Sequence, residues 1–169
     1  MIIPLNGWAA GERKFHSHAG IEFFHTFDNT EILDANVQVE VTVRKEAMRK
    51  VEAILHLQGT VTVPCDRCLE PLVLPVDAKP SFSIRFDAPE SDLSEDGKEI
   101  LQLSTTDADL DLSQAVYDYI LLSLPLQKVH PEGECNADTI RFLGHQERID
   151  EEAGAQQANS PFAALKGLF

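Results

Sequence analysis

From Val37 to Val63 apolar and polar residues alternate with a period of two, and this pattern constrains the fold more than any other in the chain. Val37, Val39, Val41 and Val43 are separated by Gln38, Glu40 and Thr42. Successive side chains of a strand point to opposite faces, so such a run buries one face and wets the other. A helix would scatter the same valines around its circumference. A second run places Val51, Ala53, Leu55 and Leu57 against Glu52, Ile54 and His56, and Thr60 to Val63 continue it. Gly59 between them predicts a bulge or bend. Two shorter strands are predicted over 72–76 and 81–86. The expected core is an antiparallel sheet, a meander that can curl towards a barrel.

The remaining segments complete an α+β chain of 169 residues, 43% of them hydrophobic. Leu112, Ala115, Val116, Tyr119, Ile120 and Leu122 recur near 3.6 residues and predict the main helix, packed on the sheet. Asp111 is its expected cap, with Gln114 as capping-box partner, and Leu124-Pro125 ends it. The expected organisation is one domain over 1–143, a polar linker over 144–159 and a short C-terminal helix over 160–169. Ser160 and Pro161 open that helix as cap and first-turn proline. Phe162, Leu165, Leu168 and Phe169 give it an apolar stripe too short to be stable alone. Pro161, Phe162, Leu165 and Phe169 are therefore expected to dock on a partner.

Three cysteines, an odd number with two in C-x-x-C spacing, do not read as a secreted disulfide framework. The amino-terminal segment lacks the basic and apolar regions of a signal peptide, and no stretch approaches the ~20 apolar residues of a membrane span. The expected compartment is the cytoplasm. Cys65 and Cys68 follow a strand, as in a zinc knuckle, where two thiolates converge on one metal. Cys135, with His130 five residues before it, completes a Cys3His set. Reduced packed thiols and a redox pair are the alternatives. No catalytic motif emerges, and neither a membrane nor a small-molecule substrate is expected. His16, His18 and His25 read as ordinary surface histidines.

Charge constrains the partners. With 14 Lys+Arg against 28 Asp+Glu the net charge is −14, which repels nucleic acid at long range. Residues 87–111 carry nine carboxylates against Lys98 alone and read as an acidic loop. Their spacing does not match a calcium-binding EF-hand loop. One basic cluster stands out, Arg44, Lys45, Arg49 and Lys50, either a solvated hairpin end or a contact for RNA.

Cys65-Asp66-Arg67-Cys68-Leu69-Glu70-Pro71 after the valine-rich strands resembles the C-x-R-C-L segment of the YceD-type large ribosomal RNA subunit accumulation proteins. The helix ending in Leu124-Pro125, followed by His130 and Cys135, and the closing Asn159-Ser160-Pro161-Phe162-Ala163-Ala164-Leu165 are similar to that family in the same order. The resemblance covers about residues 50–169. It implies a small cytoplasmic bacterial factor, not an enzyme, for the synthesis, processing or stability of large-subunit ribosomal RNA. It also implies genes that neighbour that of a small basic protein of the large subunit. With three cysteines, an all-cysteine metal site is impossible here.

Two modes of action follow. The acidic surfaces over 87–111 and 132–152 engage a basic protein of the large subunit or its precursor particle. Alternatively, Arg44, Lys45, Arg49, Lys50 and Arg67 hold ribosomal RNA directly. Zinc is the one cofactor considered, and a zinc-stabilised interaction module of other purpose remains the further alternative. Arg67, between the cysteines, is expected to contact the partner. The metal hypothesis requires the three sulfurs to converge; separations above ~7 Å would remove the site.

Overall fold

The computed structural model describes residues 1–5, 10–46, 51–86, 99–103 and 109–142. The proposed linker over 144–159 and tail helix over 160–169, with Pro161, Phe162, Leu165 and Phe169, lie outside the described residues. So do Arg49 and Lys50. The chain forms two compact units: 1–64 with 71–128, called here the sheet unit, and 65–70 with 129–169, called the knuckle unit.

The valine-rich runs form two long strands of the sheet unit, β3 (Asp34–Lys45) and β4 (Val51–Pro64). They pair antiparallel from Asp34↔Thr62 to Lys45↔Val51. Val37, Val39, Val41 and Val43 are buried, as are Val51, Ala53, Leu55 and Leu57. The alternation thus selects one face for the core along the whole ladder. The preceding strand β2 (Gly11–Gly20) pairs with β3. Seven of its ten residues are exposed and only Ala19 is buried, so no sustained alternation marks it in the sequence. His16 and His18 stand on it opposite Glu40 and Gln38.

The other edge of β4 is filled by β5 (Pro71–Ala78) and β6 (Ser81–Phe86). Pairs from Pro64↔Pro71 to Leu57↔Ala78, and from Ile54↔Ser81 to Val51↔Ile84, keep one register. Pro80, lacking an N–H, separates them, while its carbonyl accepts from the Leu55 amide at 2.9 Å. β7 (Glu99–Leu103) then runs parallel to β6. The order β2-β3-β4-β6-β7 therefore departs from a meander, and its ends do not close a barrel among the described residues. β1 (Ile2–Pro4) and β8 (Asp109–Asp111) form a separate pair. The region read as an acidic loop thus contains β7 and β8; residues 87–98 and 104–108 lie outside the described residues.

Two helices pack against this sheet. α1 (Ile21–His25) buries Phe24, and α2 (Ser113–Leu122) buries Val116 and Ile120, with Leu112 just before it. Phe27 stacks on Tyr117 with centroids 4.3 Å apart, and the Asn29 amide donates to the Tyr117 hydroxyl at 2.9 Å. The residue at the N-cap is Leu112, not the expected Asp111; Asp111 stands one position earlier and accepts from the Ser113 amide at 2.8 Å. Gln114 instead donates to Asp118 at 2.8 Å, so the capping box does not form. Leu122 of the predicted apolar face is 75% exposed, because the buried stripe narrows to Leu112, Val116 and Ile120. No helix among the described residues is long and apolar enough to cross a membrane.

Gly59 makes no bulge: the register passes through it to Val37 on one side and Val76 on the other. Its role is close approach. A Cβ there would lie 2.0 Å from the Asn36 carbonyl oxygen and 2.8 Å from the Val37 Cα, both backbone atoms that cannot swing aside. Gly59→Ala should therefore lower stability by about 1–3 kcal/mol, the usual cost of overpacking, read as a lower denaturant midpoint.

Candidate metal centre

The hairpin of β4 and β5 turns through residues 65–70, between the paired prolines Pro64 and Pro71. Within the loop the Cys65 amide donates to the Glu70 carbonyl and the Leu69 amide to the Cys65 carbonyl, each at 2.9 Å. Leu69 adopts φ +63°, a left-handed conformation unusual outside glycine, and leaves its side chain exposed. This tight turn brings Cys65 and Cys68 together, both buried.

The second half of the centre comes from residues 129–142 of the same unit. Pro131 and Gly133, the latter at φ +87°, bend the chain between His130 and Cys135. Asn136 then starts α3, a helix whose described residues are 137–142: its side-chain oxygen accepts from the Asp138 amide at 3.0 Å and the Thr139 amide at 3.4 Å. The Asn136 side chain also donates to Glu70 at 3.2 Å, tying this segment to the loop.

Cys65, Cys68, His130 and Cys135 each offer one ligand atom, and these four atoms lie within 4.8 Å of one another. The Cys65 and Cys135 sulfurs are 4.0 Å apart. Cys68 Sγ lies 3.5 Å from His130 Nδ1. A tetrahedral zinc with Zn–S bonds of ~2.3 Å and Zn–N bonds of ~2.0–2.1 Å separates two sulfurs by about 3.8 Å and a sulfur from a nitrogen by about 3.6 Å. These two separations, 4.0 Å and 3.5 Å, are close to those edges. The expected convergence of the three cysteines is present, and His130 turns its ring nitrogen towards them.

Electrostatics prepare the thiols for a cation. Burial pushes Cys65 up, but amide groups of Cys68, Arg67 and His130 aimed at its sulfur outweigh it and bring the pKa to about 6. The Arg67 amide is 3.4 Å from that sulfur. Burial likewise raises Cys68, and the amides of Asn136 and Glu70 bring it below the ordinary thiol range. Cys135 is pushed up, by burial and then by the Cys68 and Cys65 side chains. The amides thus favour the thiolate form at Cys65 and Cys68, while Cys135 disfavours it; a divalent cation would favour the thiolate at all three. Among the described residues of the knuckle unit, the two cysteines are the only buried ones.

The other expected site residues are placed differently. The Arg67 guanidinium is exposed and lies 4.0 Å from Cys135 Sγ. Arg44 donates to Glu12 at 2.7 Å, and this bond holds its pKa above the ordinary arginine value. Lys45 ends β3. Asn136 was missed from sequence, although an Asn directly before a short helical stretch is a recognisable cap signal.

A model of the family described as "Large ribosomal RNA subunit accumulation protein YceD" matches residues 54–169. No curated protein and no solved structure matches the chain. The match includes all four candidate ligands. Asn136→Ala should cost about 0.5–2 kcal/mol of local stability through the lost cap. The expected readout is faster hydrogen exchange at the Asp138 and Thr139 amides, with β3 and β4 unchanged.

Proposed function

The chain belongs to the YceD family of large ribosomal RNA subunit accumulation proteins, and on that premise we propose that it is a non-enzymatic factor acting through a basic protein of the large ribosomal subunit. The observation that carries this reading is the family match joined to a net charge of −14. An acidic surface attracts lysine- and arginine-rich protein and repels phosphate. Among the described residues of the knuckle unit, Asp66, Glu70, Glu132, Glu134 and Asp138 outnumber Arg67 and Arg141. Arg67 and the tail residues Pro161, Phe162, Leu165 and Phe169 are proposed as further contacts. The cytoplasm is the proposed compartment.

The same proposal gives the Cys3His cluster a structural role. Cys65, Cys68 and Cys135 through sulfur and His130 through Nδ1 would hold one zinc ion, which supplies a cross-link between the loop and the 129–142 segment. Metal binding would then contribute the folding energy that so small a unit lacks. The thiols and the imidazole ligate it in their deprotonated forms, which the amides directed at Cys65 and Cys68 favour.

Two measurements test these readings. Cobalt(II) titrated into the metal-free protein should develop the thiolate charge-transfer band and the visible bands of a tetrahedral site. Cys135→Ser and His130→Ala should each weaken binding by at least ~10-fold; an octahedral spectrum, or wild-type affinity in both variants, would reject the site. Separately, the tagged protein should capture a basic large-subunit protein from growing cells after nuclease treatment. Loss of every partner on nuclease treatment would favour direct RNA contact through Arg44, Lys45, Arg49, Lys50 and Arg67 instead.

A further inference from the structure

Beside α2 the sheet unit carries an open groove of about 410 Å3, within the ~300–1,000 Å3 range of binding pockets. Phe82, Tyr119, Leu121 and Leu122 give it an apolar lining, and the charged groups among its lining residues, Glu99 and Asp118, are both acidic. The rings of Phe82 and Tyr119 meet edge to face, 5.6 Å between centroids. The Tyr119 hydroxyl donates to Glu99 at 2.9 Å, and the Gln114 amide donates to Asp118 at 2.8 Å. Among the described residues, therefore, both carboxylates are positioned by neutral donors that leave their charge uncancelled.

Two further observations point the same way. Leu122, in the last turn of α2, is 75% exposed, and Leu126 beyond it is fully exposed. Single exposed leucines are unremarkable, but Leu122 lines the apolar groove, and Leu126 lies only four residues further along the chain. The last turn of α2 also lacks a basic residue, so the negative end of the helix dipole has no cation of its own to answer it.

We propose that this groove docks a basic polypeptide segment. An apolar side chain of that segment lies against Phe82, Leu121 and Leu122, and its lysines or arginines lie beside Glu99, Asp118 and the C-terminal end of α2. The inference rests on the proposed role as a binder of a basic ribosomal protein and assigns where that protein docks. RNA is disfavoured here, because its phosphates would face two carboxylates and the negative end of a helix. A second copy of this chain is disfavoured by the repulsion between two bodies each at −14.

The full chain, immobilised, is offered nuclease-treated total protein from purified large ribosomal subunits, and what it retains is identified by mass spectrometry. The wild type should retain a basic protein, and retention should fall as salt rises. Leu122→Asp and Asp118→Lys should each lower retention about tenfold, the loss expected of one contact worth ~1.4 kcal/mol. Val73→Asp, at an exposed position of β5, should change nothing. Thermal unfolding by circular dichroism should be the same for all four proteins. Wild-type retention by both groove variants would overturn the groove while leaving the proposed function standing. Failure of the wild type to retain any basic protein would overturn both.

Discussion

The ladder between β3 and β4 is the interaction on which the rest of the sheet unit depends. A slip of one residue would carry every valine of β3 from the core to the solvent, so burial locks the register as firmly as the hydrogen bonds do. With that register set, the other edge of β4 receives β5 and β6 as one interrupted partner. Gly59 lets three backbones pass at one point where a side chain would collide with the Asn36 carbonyl. The strand pairing also decides where the chain leaves the sheet, since the loop carrying Cys65 and Cys68 begins after Pro64 and ends before Pro71.

The knuckle unit is organised on a different principle. Its described residues bury little besides two thiols, so among them hydrophobic burial contributes little. Hydrogen bonds supply part of the substitute: amides directed at the sulfurs, the Asn136 cap and the Asn136–Glu70 bond. A metal cross-link would supply the remainder, joining two stretches more than sixty residues apart in sequence. Two of the separations between ligand atoms, 4.0 Å and 3.5 Å, are close to the edges of a zinc tetrahedron, and burial together with the neighbouring cysteines holds the Cys135 thiol above its ordinary pKa.

Acidity and family then point in one direction. A chain with twice as many carboxylates as cations sits in a family described by the accumulation of an RNA. The proposed contact with a basic protein is the reading that reconciles those two facts. The pairing of Arg44 with Glu12 further reduces the positive charge that the described part of the β3–β4 turn offers to phosphate.

The amino-acid sequence alone determined the two long strands, the position of α2, the strand-end C-x-x-C and the acidic balance. Each is written locally, in the parity of Val37 to Val43, the spacing of Leu112, Val116 and Ile120, or a count of charges. What escaped it depends on tertiary context. β2 buries only Ala19 of its ten residues, so selection for burial leaves no sustained alternation to read. β7 runs parallel to β6 inside a stretch whose carboxylates read as loop, because strand direction is set by a neighbour and not by the strand itself. The spacing of Cys65, Cys68, His130 and Cys135 made a shared site conceivable, but only the folded chain brings the four ligand atoms together. Ligation depends on where side chains end in space, and across more than sixty residues that is decided by the packing between them.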